Sequence, residues 1–331
     1  MTTTWHIPDL EEIRSARERL GAYLARTPLL RSPSLSELLS LELYVKYENV
    51  QPTGAFKVRG GINLVSRLSE AERSRGIITA STGNHGQSIA YAGRLFGVSV
   101  RITVPRGNNP DKNAAMRRLG AELIEHGVDF DEARLLAEEL ASRHGYRYVH
   151  SANEPDLIAG TASIGLEILE VQPEIETIIV AVGGGHGAAG ISLAAKATKP
   201  TVNVIAVQSE AAPAAHLSWR DRRLVTLEKH HTFAEGLATR YGFELPQLIL
   251  RELLDDFVLV ADREIKEAVL LHLQHTHHLA EGAGAATLAA VVKLRERLWG
   301  QKVAIVLSGC NLTLQTLRDV LREFPDGAPV L

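Results

Sequence analysis

The run Pro52-Thr53-Gly54-Ala55-Phe56-Lys57-Val58-Arg59-Gly60 holds a lysine between two apolar side chains, Phe56 and Val58. Upstream lies a β-favouring stretch, Leu43-Tyr44-Val45-Lys46-Tyr47, and then a polar turn, Glu48-Asn49-Val50-Gln51. Downstream, Ile62, Leu64, Val65 and Leu68 recur with helical spacing. Lys57 therefore falls in a strand–loop–helix transition, close to a helix N-terminus. Desolvation and the positive end of the helix dipole both disfavour its ammonium form. A neutral amine is what Schiff-base chemistry requires of a lysine. The plain alternative is a solvated lysine on a helix, so the weight rests on its companions.

A second segment, Ser81-Thr82-Gly83-Asn84-His85-Gly86-Gln87, follows the apolar run Gly76-Ile77-Ile78-Thr79-Ala80 and precedes a helical pattern. Hydroxyls and backbone N–H groups gathered at a helix N-terminus suit an anion such as a carboxylate, or serve as an ordinary N-cap. A third, Gly183-Gly184-Gly185-His186-Gly187-Ala188-Ala189-Gly190, follows the strand-like Thr177–Val182. Successive glycines let N–H groups converge on a phosphate without Cβ obstruction. Gly185-His186-Gly187-Ala188-Ala189-Gly190 also satisfies G-x-G-x-x-G, and Glu210 lies beyond the next strand, so a dinucleotide site competes here. In the fourth segment Val303–Leu307 delivers the polar cluster Ser308-Gly309-Cys310-Asn311.

Taken together, these four segments resemble the pyridoxal-phosphate-dependent threonine/serine dehydratase family, of the tryptophan-synthase-β fold type (fold type II). The likeness in order and spacing runs from about residue 8 to the C-terminus. It implies that Lys57 forms the Schiff base with pyridoxal 5′-phosphate, that Phe56 packs against the ring and that Asn84 hydrogen-bonds its 3′-oxygen. It implies that Gly183, Gly184, Gly185, His186 and Gly187 hold the phosphate and that Ser308 faces the pyridine nitrogen. Ser81, Thr82, Gly83 and His85 match the loop receiving the substrate carboxylate; Gly236 and Glu281 match positions lining cofactor and substrate. A homodimer is the expected assembly.

The chain departs from that pattern in several places. His186 replaces a loop glycine, and its imidazole either meets the phosphate or points to solvent. Ala55 stands where many relatives have serine, and Glu235 where aspartate is more usual. Some relatives carry a divalent cation on acidic residues; the corresponding positions here are Gln208 and, near the later one, Ala214, so no metal is expected. The histidines His272, His275, His277 and His278, and the pair His230-His231, lack the further ligands that zinc requires and are read as a polar or interface-facing surface.

A chain of 331 residues with a net charge of −3 suits one or two domains and gives no sign of a nucleic-acid partner. The single cysteine, Cys310, excludes an intrachain disulfide framework and fits a reducing, cytoplasmic setting. Neither a signal peptide nor a membrane span is indicated at the sequence level. Strand-like and helical patterns alternate, predicting an α/β protein of two open parallel-sheet domains with the cofactor in the cleft between them. The expected division is a large cofactor-binding domain of residues 1–68 and 150–331 and a small α/β domain of residues 69–149.

Three activities are consistent with these residues. The first is α,β-elimination of water from a β-hydroxy amino acid (threonine, serine, or a bulkier relative such as phenylserine or hydroxyaspartate), giving a 2-oxo acid and ammonia. The second is serine racemisation, with Thr82 where some racemases place a serine as second base. The third, of a different class, is an NAD(P)-dependent oxidoreductase using Gly185-x-Gly187-x-x-Gly190. Leu237, Tyr241 and Phe243 are candidates for lining a larger substrate pocket.

Overall fold

Apolar runs bounded by turn residues become ten strands among the residues described, 5–229 and 231–327 of a computed structural model. They are β1 (Leu29–Arg31), β2 (Glu42–Tyr47), β3 (Ile77–Ala80), β4 (Val100–Val104), β5 (Glu122–Glu125), β6 (Arg147–Tyr148), β7 (Thr177–Ala181), β8 (Asn203–Ser209), β9 (Asp256–Val260) and β10 (Lys302–Leu307). Two sheets result, one of six strands in the order β1-β2-β10-β7-β8-β9 and one of four in the order β5-β4-β3-β6. All strands of the smaller sheet come from one continuous stretch of chain.

The larger sheet is not wholly parallel, because β1 pairs antiparallel with β2. Their connection is the short helix Pro33–Leu39, closed by Ser40 in the left-handed region at φ 55°. It is too short for a crossover, so the chain turns back beside itself.

Side chains on β7 alternate between two cores. Ile179 joins a cluster with the helices Asp262–His275 and Gly282–Lys293, whereas Ile178 and Val180 join one with Pro155–Val171, His186–Thr198 and Glu244–Leu253. A sheet covered on both faces needs apolar residues in both registers, which explains the unbroken run Ile178-Ile179-Val180. The helix Val58–Ser66 behaves differently. Its Val58, Ile62 and Val65 pack with Ile77, Val100, Ile102 and Val104 of the smaller sheet. Lys57, immediately before it, thus occupies the passage from the large sheet to the small one.

Close approach fixes this helix in place. A Cβ on Gly160 would lie 2.7 Å from the Arg59 carbonyl oxygen, so Pro155–Val171 and Val58–Ser66 cross almost backbone to backbone. No described helix is long and apolar enough to cross a membrane.

Candidate active site

Each of the four segments singled out in the sequence emerges from the C-terminal end of a parallel strand: β2, β3, β7 and β10. This is where open α/β sheets gather their ligands. Backbone bonds tie the ends together. Phe56 N–H donates to the Ser308 carbonyl at 2.9 Å, Cys310 N–H to Gly54 at 2.9 Å, and Glu281 N–H to Gly309 at 3.0 Å. Gly183 meets Gly236 so closely that a Cβ on Gly183 would stand 2.1 Å from the Gly236 carbonyl oxygen.

Lys57 occupies the N-cap of Val58–Ser66 and is half-buried, with no hydrogen-bond partner for its Nζ among the described residues. Burial brings its ammonium down from 10.5 to about 8, against the pull of the Glu281 carboxylate. Glu281 is raised in turn, chiefly by burial. Its Oε1 accepts from the Asn84 amide at 2.6 Å, while Asn84 Oδ1 accepts from Asn311 at 2.7 Å. Asn84 therefore bridges the first turn of Asn84–Phe96, from the small sheet, to two residues of the large one.

The glycine loop is a cradle of free donors. The N–H groups of Gly183, Gly184, Gly185, His186 and Gly187 find no acceptor among the described residues, and Gly185 has φ +94°, where a side chain would be strained. A Cβ on Gly187 would lie 2.6 Å from the Phe56 ring. In the second loop, Ser81 Oγ accepts from the N–H groups of Gly83, at 3.1 Å, and Gly86, at 2.8 Å. The N–H groups of Thr82, Asn84 and His85 remain unpaired among the described residues. Ser308 is buried, and its hydroxyl has no partner there either. An amine, a five-donor phosphate cradle and an unengaged hydroxyl fit pyridoxal 5′-phosphate.

His186 does not point to solvent: it is only 3% exposed and stacks on Phe56, ring centroids 5.7 Å apart. Burial first, and then the neighbouring Lys57 charge, hold it well below the usual histidine range, so it enters the cradle neutral. The His85 ring is likewise neutral and is committed to Thr79 Oγ1 at 2.9 Å, leaving its backbone N–H for an anion. Leu237 turns into the core instead of lining a pocket. Phe243 packs over Gly184, and Arg240 reaches Asp131 at 3.0 Å across the cleft.

Sequence reasoning missed several neighbours. His150, its ring accepting from Ala152 and Asn153 N–H groups, lies beside Phe243 and is brought down by burial to about 4. Beneath Lys57 sits a buried quartet of Lys46, Glu48, Arg59 and Glu167. A lysine inside an apolar strand and a lone glutamate in the apolar run Ile164–Leu169 were its signals.

Among the described residues no three His, Cys, Asp or Glu side chains converge as metal ligands. His272 is not on a polar face but fully buried, and burial brings it to about 3; His275 accepts or donates to Ser34, and His278 packs on Tyr47. His230 lies outside the described residues.

The sequence profile of the pyridoxal-phosphate-dependent enzymes matches residues 22–309. The chain belongs to this family. Its cofactor is pyridoxal phosphate, and its fold is that of fold type II. The dinucleotide reading is thereby overturned; Gly190 serves helix packing instead, a Cβ there lying 2.5 Å from the Ile158 carbonyl oxygen. An L-threonine ammonia-lyase of Thermotoga maritima is 40% identical over 95% of this chain and 78% of its own. The processed threonine deaminase isoform 2 of Solanum lycopersicum superposes with a TM-score of 0.90 at 30% identity, covering 98% of this chain and 91% of its own. A maize serine racemase gives 0.91 at 30% identity, over 97% and 99%.

Proposed function

We propose that the protein is an ammonia-lyase that removes water from a β-hydroxy amino acid, with threonine and serine as the first substrates to test, yielding a 2-oxo acid and ammonia. The observation that carries this is the desolvated Lys57 amine, without a hydrogen-bond partner among the described residues, set between a glycine loop and a helix terminus whose N–H groups lack acceptors among those residues. The threonine ammonia-lyase at 40% identity supports the same reading.

When bound, pyridoxal phosphate supplies the electron sink for cleavage at the α-carbon. The chain's own groups do the rest. The N–H groups of Gly183 to Gly187 hold the phosphate, and those of Thr82, Asn84 and His85 take the substrate carboxylate. The Lys57 amine, brought down by burial to about 8, would serve as the base for the α-proton. Phe56 and Asn84 orient the ring, with Gly236 and Glu281 beside it. The buried, uncharged Ser308 hydroxyl would face the ring nitrogen and, lacking a carboxylate's charge, would hold a proton there less firmly, which would favour expulsion of the β-hydroxyl.

Residues 1–68 with 150–331, and residues 69–149, act as two domains closing on the substrate. The working assembly is a cytoplasmic homodimer; the exposed Leu30 on edge strand β1 and the exposed Val50 offer apolar surface for it. Sedimentation velocity and cell fractionation test these points.

The decisive assay is kcat/KM for threonine, serine, 3-hydroxyaspartate and 3-phenylserine, with oxo acid and ammonia both quantified. Serine racemisation is the second reading, favoured by the maize likeness and weakened by Thr82, which stands where some racemases place a serine. If none of the four yields oxo acid while L-serine loses optical rotation, racemisation replaces elimination.

A further inference from the structure

Lys112, in the helix Pro110–Arg118, is absent from the motifs that define the site, yet its side chain lies across the anion loop. A Cβ on Gly83 would stand 3.2 Å from Lys112 Cδ and 3.6 Å from its Nζ. The ammonium is paired with Glu235, which comes from the opposite side of the cleft. Together the two line a small cavity with Gly236, Glu281, Asn311 and Thr313.

The pair is unequal. Lys112 is 12% exposed and Glu235 49%. A rim carboxylate is cheaply exchanged for water or another anion, whereas a covered ammonium needs a counter-charge at all times. Three N–H groups, of Thr82, Asn84 and His85, without acceptors among the described residues, stand in the loop this ammonium covers. A carboxylate arriving there meets oriented dipoles and a full positive charge on one side.

We propose that Lys112 is a substrate-binding residue that Glu235 holds in reserve: the α-carboxylate displaces Glu235 from the ammonium as it docks on the Ser81–His85 loop. The inference rests on the proposed reading of that loop as the carboxylate site. Binding is then selective for amino acids with a free carboxylate, and Glu235 competes with them.

The test uses holoenzyme and two non-eliminable ligands, L-alanine and L-alaninamide, titrated by the change in cofactor absorbance, alongside KM and kcat for threonine. Lys112→Met should weaken L-alanine and raise KM by about tenfold, the loss of one charge-assisted contact, with kcat within about threefold. Its affinity for L-alaninamide should stay unchanged, and Lys112→Arg should restore most of the L-alanine affinity. Glu235→Gln should tighten L-alanine binding. Equal losses for L-alanine and L-alaninamide, or wild-type L-alanine affinity in the charge-swapped Lys112→Glu/Glu235→Lys variant, would reduce the pair to a structural tie and overturn the proposal. Should Lys112→Met fail to fold, Glu235→Gln decides: tighter L-alanine binding supports the proposal, and unchanged or weaker binding overturns it. Because alanine binding needs no elimination, these outcomes are independent of whether oxo acid is ever formed.

Discussion

Arg59 and Glu167 form a two-pronged ion pair that almost no water reaches, Nη1 to Oε1 at 2.7 Å and Nη2 to Oε2 at 2.9 Å. Arg59 also holds both Glu48 oxygens at 2.8 Å, while Lys46 holds Glu167 at 2.6 Å. Two positive and two negative charges cancel in a dry site. The Lys57 loop is thereby fastened to β2 and to the helix Pro155–Val171. Arg59→Met leaves two buried carboxylates facing one lysine, and chemical denaturation should show a loss of about 3–5 kcal/mol. A loss below about 1 kcal/mol would mean that the quartet is no anchor.

The Lys57 amine should react in a pH window of its own. Burial lowers it to about 8 from the ordinary 10.5. In apoenzyme its ammonium therefore loses its proton as pH rises through about 8, and its reductive methylation should reach half-maximal rate there. An unperturbed lysine, with a pKa of about 10.4, should follow at higher pH. Coincident profiles for Lys57 and surface lysines would contradict the desolvated site.

Borohydride treatment of holoenzyme should bleach its colour and leave a phosphopyridoxyl group on the Lys57 peptide. Lys57→Ala should keep the fold and lose turnover. A label on another lysine, or full activity in Lys57→Ala, would remove Lys57 from the chemistry.

Gly187→Ala places a methyl 2.6 Å from the Phe56 ring, inside the glycine loop. Overpacking of this kind costs about 1–3 kcal/mol. Weaker cofactor retention on dialysis, with an unchanged far-ultraviolet spectrum, is the expected result. Undiminished retention would show that the ring yields freely.

Chelation should leave activity and thermal midpoint nearly unchanged. Gln208 is buried, with its Oε1 accepting from His216 N–H, and Ala214 has no side-chain oxygen to offer a cation. A stability loss above about 1 kcal/mol on adding chelator would reveal a bound cation.

Most of the architecture was legible because the signals are local. Strand, glycine or hydroxyl loop, and helix lie within a few residues of one another, as in Thr177–Ala181 leading into Gly183–Gly187. β9 and the antiparallel β1 escaped, since a short apolar run alone does not say which neighbour it will pair with.

The sequence by itself determined the four strand-end motifs and, through their combination, the family and its cofactor. Tertiary structure decided what surrounds them. It buried His186 and His85 as neutral rings, turned Leu237 into the core, and joined Arg59 to Glu167 over 108 positions and Lys112 to Glu235 over 123. Such pairings depend on how two sheets meet across a cleft, and the charge a side chain bears there depends on who faces it and how much water remains.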